Sequence, residues 1–389
     1  MVTNKQVTNK QAANKHVIIA GGKTGGHLFP GIAVAQALME KDPTTKILFV
    51  GTRAPFETDT LARYGFIHKS IIARPIKGKN IFAKAWSASL VGISLVQALA
   101  IIMMFRADFI LGVGGFSSFA LVLAGRILFR NTAIHEQNAF PGMTNRLLAK
   151  IARSRFISFK ETRGMPENDT TFLVGNPVRR PLPTTPLENT NTDDSVLNRI
   201  NPDDFLILVT GGSQGAASIN GAFTDAVAMM KDTRRLFIIH QTGKNAEAQI
   251  QQFYRAREIR HKAAAFFYDM PAIQDRADLV ISRAGAGTVS ELCIKGKPAI
   301  LVPYPHAADD HQTANARYLA DQGACIMIAD KDLTGETLLA AIEDLQHNTD
   351  KRVEMADTMT ALAMPHGADL IAGRILGTDV SKRNKNVPA

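Results

Sequence analysis

Residues 16–30, HVIIAGGKTGGHLFP, decide how the rest of the chain is read. His16–Ala20 is a short apolar run bounded by glycine, the pattern of a buried strand. Gly21–Gly26 is a glycine-rich loop that lets the backbone turn tightly and approach a ligand. Pro30 then stands where a helix is expected to begin, its fixed φ suiting a first-turn position. Such a helix start presents unpaired N–H groups and partial positive charge, which favour phosphate. Lys23-Thr24 superficially suggests a P-loop, but that motif needs glycine where Val17 stands, and no GxGxxG spacing occurs here. Taken alone, the loop also reads as a plain tight turn between strand and helix.

The same alternation continues outward. Lys46–Val50, Ile67–Ile72, Phe109–Val113 and Thr132–His135 are further strand candidates, with helical patterns between them. Alternation of this kind marks βαβ units and a parallel sheet. It breaks at 181–203, PLPTTPLENTNTDDSVLNRINPD, whose composition is that of a linker. Beyond it come Phe205–Thr210, Leu236–His240, Ala264–Phe267, Leu279–Ser282, Ala299–Val302 and Cys325–Ile328. The expected fold class is α/β, with two Rossmann-like domains whose parallel sheets face one another across a cleft, a natural ligand site. The expected boundaries are a tail at 1–15, an N-terminal domain at 16–180, the linker, a C-terminal domain at 204–364, a helix at 365–379 packing back on the N-terminal domain, and a tail at 380–389.

The chain has 389 residues, enough for two domains, and a formal net charge of +10. That balance suits an anionic partner such as acidic lipid or a phosphorylated substrate, or serves solubility alone. No arginine-rich tract or aromatic-basic interleaving points to nucleic acid. Cys293 and Cys325 form no CxxC pair, so neither a disulfide framework nor a zinc site is expected. The first fifteen residues repeat VTNKQ and lack the apolar core of a secretory signal. Ala85–Phe105 carries no charge and approaches the length of a bilayer span. Ser87, Ser94 and Gln97 give it a semi-polar face, and its place between two strands favours a buried or membrane-surface crossover helix.

Two more glycine loops follow strands. Gly211–Gly215 (GGSQG) is a second turn that suits a diphosphate. Arg283–Leu292 (RAGAGTVSEL) opens a helix with a hydroxyl and a carboxylate. Thr288 and Glu291 fit a capping box there, while the alternative has Glu291 accepting from ribose hydroxyls. His306–Asn315 (HAADDHQTAN) matches no zinc spacing and reads as a polar loop.

These pieces, with LGVGGFSS, HEQNAFPGMTN, VGNPVR, a segment ending Tyr268-Asp269-Met270, and DHQTANA, occur in one order along the chain. In that order they resemble the MurG family, UDP-N-acetylglucosamine transferases of peptidoglycan synthesis within the GT-B superfamily. The resemblance runs from about His16 to the last helix. It implies inverting transfer of N-acetylglucosamine from UDP-GlcNAc to the 4-hydroxyl of the muramyl sugar of lipid I, giving lipid II. No cofactor is implied, no metal is expected on the diphosphate, and no D-x-D signature is expected.

By the same resemblance, Arg179, Ser213, Phe267, Ala286, Gly287, Thr288, Val289, Ser290, Glu291 and Gln312 bind the donor from the C-terminal side. Phe267 would meet the uracil through its backbone, Glu291 the ribose, and Gln312 the sugar hydroxyls. Thr24, Gly25, Gly26 and Asn138 would reach it from the N-terminal side, and His27 would be the general base. Lys23 and Phe116 depart from residues usual in the family, a glycine and a tyrosine. The resemblance also implies peripheral docking on the cytoplasmic leaflet, with Lys77, Lys79, Lys84 and Arg106 around the apolar helix. It leaves open contacts with other cell-wall synthesis proteins. Another GT-B enzyme such as a glycolipid glycosyltransferase, a UDP-sugar epimerase of the same architecture, and a non-catalytic nucleotide-sugar or lipid-binding module remain the alternatives.

Overall fold

In the computed structural model, β1 (His16–Ala20) is an interior strand of a seven-stranded parallel sheet. The structure describes residues 14–22, 24–72, 81–162, 164–179, 197–212, 214–267 and 270–378, with the backbone alone for 81–89 and 308. Residues 1–13 and 380–389 of the proposed tails, most of the proposed linker, Lys23, Lys77, Lys79, Ser213 and the Lys84 side chain lie outside the described residues. The other strands of the first sheet are β2 (Lys46–Gly51), β3 (His68–Ser70), β4 (Phe109–Gly112), β5 (Asn131–Glu136), β6 (Ser154–Ile157) and β7 (Thr171–Leu173). Their order is β3-β2-β1-β4-β5-β6-β7.

Side chains alternate across this sheet as the pleat requires. Val17, Ile19, Phe49 and Leu111 pack on one face with α1 (Gly25–Lys41). Ile18, Val50, Ile110 and Ile134 pack on the other with α3 (Ile81–Phe105) and α4 (Phe116–Ile127). Two short helices, α2 (Pro55–Arg63) and α5 (Met143–Leu148), complete this half.

The second sheet holds β8 (Phe205–Thr210), β9 (Leu236–Gln241), β10 (His261–Ala264), β11 (Leu279–Ser282), β12 (Ala299–Leu301) and β13 (Ile326–Met327), in the order β10-β9-β8-β11-β12-β13. Around it lie α6 (Ala217–Met229), α7 (Glu247–Ala256), α8 (Met270–Arg276), α9 (Ala286–Lys295), α10 (His311–Ala320), α11 (Gly335–His347) and α12 (Thr349–Ala361). In both sheets the chain reverses its direction of strand addition, between β1 and β4 and between β8 and β11. Ligands of open α/β sheets bind beyond the strand ends at such switch points.

Three local readings are corrected. The run Ala264–Phe267 is not a strand: β10 ends at Ala264, where its register with Gln241 of β9 ends, and the Phe267 N–H donates instead to the Gln241 side chain at 2.9 Å. Pro30 is not in the first turn. Thr24 is the N-cap and α1 begins at Gly25, so Pro30 lies inside the helix and cannot donate to the Gly26 carbonyl. Neither β6 nor the edge strand β7 is expected from the sequence, both being short and mixed in character.

On α3, Ser94 donates to the carbonyls of Leu90 (2.8 Å) and Ile72, and Gln97 accepts from the Ile72 N–H at 2.9 Å. The polar face therefore serves the backbone after β3, and Ile93, Val96, Met103 and Met104 face outward. Among the described residues, no helix is long and apolar enough to cross a membrane.

The last helix, α13 (Gly367–Leu376), packs on α1 of the first half. Ile371 and Ile375 are buried in the same core as Val17 and Ile32. Ile371→Ala is expected to lower unfolding free energy by about 2–5 kcal/mol, as read from urea denaturation. A second expectation concerns acid. His135 and His240 are buried and held neutral by burial, with pKa pulled down to about 4 and about 3. Both take up protons more readily once unfolded, so their contribution is whole above pH ~6.5 and is lost as pH falls toward 4. Melting temperatures measured across that range should fall.

Candidate functional site

The loops after β1, β4 and β5 interlock. Gly21 has φ of 127°, and a Cβ there would lie 2.4 Å from the Gly114 carbonyl oxygen of the β4 loop. Ser118 of α4 clamps the pair, donating to the Ala20 carbonyl at 2.5 Å and accepting from the Gly114 N–H at 2.9 Å. His27 stands in the first turn of α1, its ring laid on Gly114. Its Nδ1 is 3.3 Å from Oε1 of Gln137. Enclosure by protein pulls the His27 pKa below 6.5, against the raising effect of the Gln137 hydrogen bond; His311 also lowers it. The imidazole is thus kept neutral and able to accept a proton.

The β5 loop is built around Glu136. This buried carboxylate accepts from the N–H and Nδ2 of Asn138 (3.0 and 3.1 Å), the Gly142 N–H (3.3 Å) and Asn145 Nδ2 (2.9 Å). Burial pushes its pKa up, and these four donors oppose that shift. The loop so held reaches the second half. Asn315 of α10, fully buried, accepts from the Ala139 N–H at 2.9 Å and donates to Asn138 Oδ1 (3.2 Å) and the Ala284 carbonyl (3.1 Å). One side chain thereby ties the β5 loop to the β11 loop.

On the second half, α9 begins at Ala286 with Gly285 as N-cap and no side-chain cap. Thr288 lies inside the first turn, because the extended backbone of Gly285 already starts the helix three residues earlier, so the capping box anticipated for Thr288 and Glu291 does not form. The first amides of α9 are left without a side-chain partner, an anion-binding arrangement. Burial raises the Glu291 pKa, while Arg179, Gln274 (3.4 Å) and Lys295 lower it. The β8 loop is shaped by Gln241, which donates to Thr210 Oγ1 and the Gly212 carbonyl. At the start of α10, Asp309 and Asp310 both have left-handed backbone, and Gln312 accepts from the Tyr304 N–H at 3.0 Å.

Profiles of the glycosyltransferase family 28 N-terminal and C-terminal domains match residues 17–157 and 206–371. A protein of Geobacter sp. (strain M21), named UDP-N-acetylglucosamine--N-acetylmuramyl-(pentapeptide) pyrophosphoryl-undecaprenol N-acetylglucosamine transferase, is 39% identical over 95% of this chain and 98% of its own. The chain belongs to glycosyltransferase family 28. A likewise named protein of Thermodesulfovibrio yellowstonii is 40% identical, over 91% of this chain and 96% of its own. Among solved structures, MurG of Acinetobacter baumannii aligns with TM-score 0.75 at 27% identity, covering 93% of this chain and 99% of that one. A UDP-GlcNAc 2-epimerase from Neisseria meningitidis, 12% identical with TM-score 0.65 over 93% of this chain and all of that one, shares the fold.

In this family 28 chain, Thr24, Gly25, Gly26 and His27 share one helix start, and Ala286, Gly287, Thr288, Val289, Ser290 and Glu291 share another; α1 packs against α9. Arg179 is placed electrostatically on Glu291, yet its guanidinium stacks 3.8 Å from the Phe29 ring centroid and donates to the Tyr64 hydroxyl at 3.2 Å. Asn138 is turned to Asn315. The Phe267 amide is engaged by Gln241. Phe116 is exposed at the start of α4. Asp330-Lys331-Asp332 does spell D-x-D, contrary to the sequence reading; Asp330 is an ion-pair partner of Arg283 (2.5 Å) and accepts from Ser218. Sequence reasoning missed the roles of Asn315, Glu136 and Gln137, although each lies inside a motif it quoted.

Proposed function

We propose that this chain transfers N-acetylglucosamine from UDP-GlcNAc, with inversion, to the 4-hydroxyl of the MurNAc of lipid I, undecaprenyl-diphospho-MurNAc-pentapeptide. The product is lipid II. The observation that carries this reading is the near-complete span of similarly named relatives, at 38–39% identity over 92–95% of the chain. The geometry fits the chemistry. His27 removes the proton of the acceptor hydroxyl as that oxygen attacks the anomeric carbon from the face opposite UDP. Negative charge then develops on the departing diphosphate, where the first amides of α9 and the groups of Ala286 to Ser290 stabilise it. Glu291 accepts from the ribose, and Gln312 and Asn138 bind the sugar. Thr24, Gly25 and Gly26 close on the donor, with Ser213 and the Phe267 backbone at the nucleotide. Arg179 must leave the Phe29 ring to reach it.

The test is UDP release with and without a short-chain lipid I analogue. Release that requires the analogue supports the transferase. Conversion of UDP-GlcNAc without it would favour the epimerase alternative.

For a lipid-borne acceptor we propose peripheral docking on the cytoplasmic leaflet. The supporting surface is the outward face of α3, with Val96, Met103 and Met104, beside exposed Phe129 after α4. Both helices end at the same edge of the sheet, where β4 and β5 start side by side. Arg106 and Arg130 flank that edge, and each basic residue near anionic lipid contributes about 1 kcal/mol. Replacing Met104 and Phe129 together by glutamate is expected to weaken binding to anionic vesicles by more than about tenfold, since each apolar side chain withdrawn from water contributes about 1.5–3 kcal/mol. Sedimentation with vesicles measures it.

A further inference from the structure

Behind His27 runs a ladder of hydrogen bonds ending on a backbone carbonyl at each branch. Gln137 Nε2 lies 2.8 Å from the Val113 carbonyl oxygen and 3.1 Å from Nδ1 of His135. His135 Nε2 lies 3.2 Å from the Gly175 carbonyl oxygen. A carbonyl can only accept, so the positions of the protons follow. The Val113 carbonyl sets the Gln137 amide with its nitrogen inward and Oε1 toward His27. The Gly175 carbonyl sets the His135 proton on Nε2, so His135 Nδ1 accepts the second N–H of Gln137. Oε1 of Gln137 is then an acceptor facing His27 Nδ1, which must carry the proton. The lone pair of neutral His27 is left on Nε2.

We infer that Gln137 is a positioning residue for the transfer: it fixes His27 as the Nδ1–H tautomer, so that Nε2 takes the proton of the acceptor hydroxyl. This rests on the transferase reading given above. In the step, the hydroxyl O–H bond breaks and its proton passes to Nε2. The oxygen bonds to the anomeric carbon, and the electron pair of the breaking glycosyl–phosphate bond leaves on UDP. His27 becomes imidazolium with Nδ1–H still donated to Gln137, and then returns its proton to solvent. Because Gln137 is a neutral amide, it orders the ring without the strong pull of a carboxylate toward the charged form. The titratable groups facing His27 are His311 of α10 and His135 of β5, both of which disfavour a second positive charge. His135 is buried, its pKa pulled down to about 4, so it stays a neutral link over the working range.

The experiment is ¹⁵N spectroscopy of the full chain with labelled histidine, the His27 signals being assigned by difference from His27→Ala. It is paired with transfer kinetics. At alkaline pH wild-type His27 should show the Nδ1–H form, and Gln137→Met should show a mixture. Gln137→Met should lower kcat by about 10- to 100-fold with donor KM unchanged, less than the ~10²–10⁴ of losing the base. Gln137→Glu still accepts from Nδ1, so it should keep the tautomer and move the acid limb of the kcat profile to higher pH. A side chain that merely supports the loop would lower the melting temperature of Gln137→Met and leave tautomer and pH limb alone. A wild-type spectrum showing His27 as Nε2–H overturns the inference, even should Gln137→Met fail to fold. Absence of transfer by the wild type overturns the transferase reading itself. With transfer intact, an unchanged tautomer and kcat in Gln137→Met overturn the role of Gln137.

Discussion

His27→Ala is expected to lower kcat by about 10²–10⁴-fold while leaving the affinity for UDP-GlcNAc close to that of the wild type. In the proposed arrangement the α9 loop and its neighbours hold the donor, while the His27 ring is engaged by Gln137. The variant should therefore bind donor, as judged by calorimetry, and fail to transfer. The pH profile carries the same signature. Burial holds the His27 pKa below 6.5, so the imidazole is neutral at and above that pH. The rate should rise through an acid limb below pH 6.5 and then level, and the limb should vanish from whatever activity His27→Ala retains. Retention of full kcat by a folded His27→Ala would remove the ring from the reaction.

Gly114→Ala is expected to cost about 10²-fold in kcat without any change of chemical group, because misplacing a reacting group by about 1 Å is enough for that. Gly114 has φ of 112°, a conformation costly for alanine, and its Cβ would lie 2.7 Å from both Cε1 and Nδ1 of His27. The ring cannot slide away freely, since Nδ1 is engaged with Gln137. The substitution must rotate the ring out of place or push the β4 loop against Gly21. Gly221→Ala, inside α6 where nothing lies within 4 Å of the added carbon, is the control, expected to preserve kcat and gain about 0.5–1 kcal/mol of stability. Steady-state kinetics with the two variants side by side measures the difference.

The sheets were legible because central parallel strands are buried on both faces and read as continuous apolar runs, as HVIIA and FLILVT do. Glycine loops directly after those strands marked the sheet ends where a ligand belongs. What escaped was set by partners distant in sequence. The Ala264–Phe267 run has strand composition, but the extent of β9 ends the pairing at Ala264. Thr288 and Glu291 have the spacing of a capping box, but Gly285 is the N-cap and the helix starts at Ala286, which leaves Thr288 inside the first turn. Gln137 looks like one polar residue in HEQN; its role depends on the Val113 and Gly175 carbonyls, brought to it by strand order rather than by spacing. Asn315 likewise gains meaning only where α10 meets the β5 loop.

The most direct test of the central claim is to incubate the purified chain with UDP-GlcNAc and a short-chain lipid I analogue in the presence of EDTA, and to determine the linkage of the product by NMR. A β-linked N-acetylglucosamine on the 4-oxygen of the muramyl sugar, formed only with both substrates, is the predicted result. No disaccharide from protein that still binds UDP-GlcNAc, or an isomerised nucleotide sugar in its place, would contradict it.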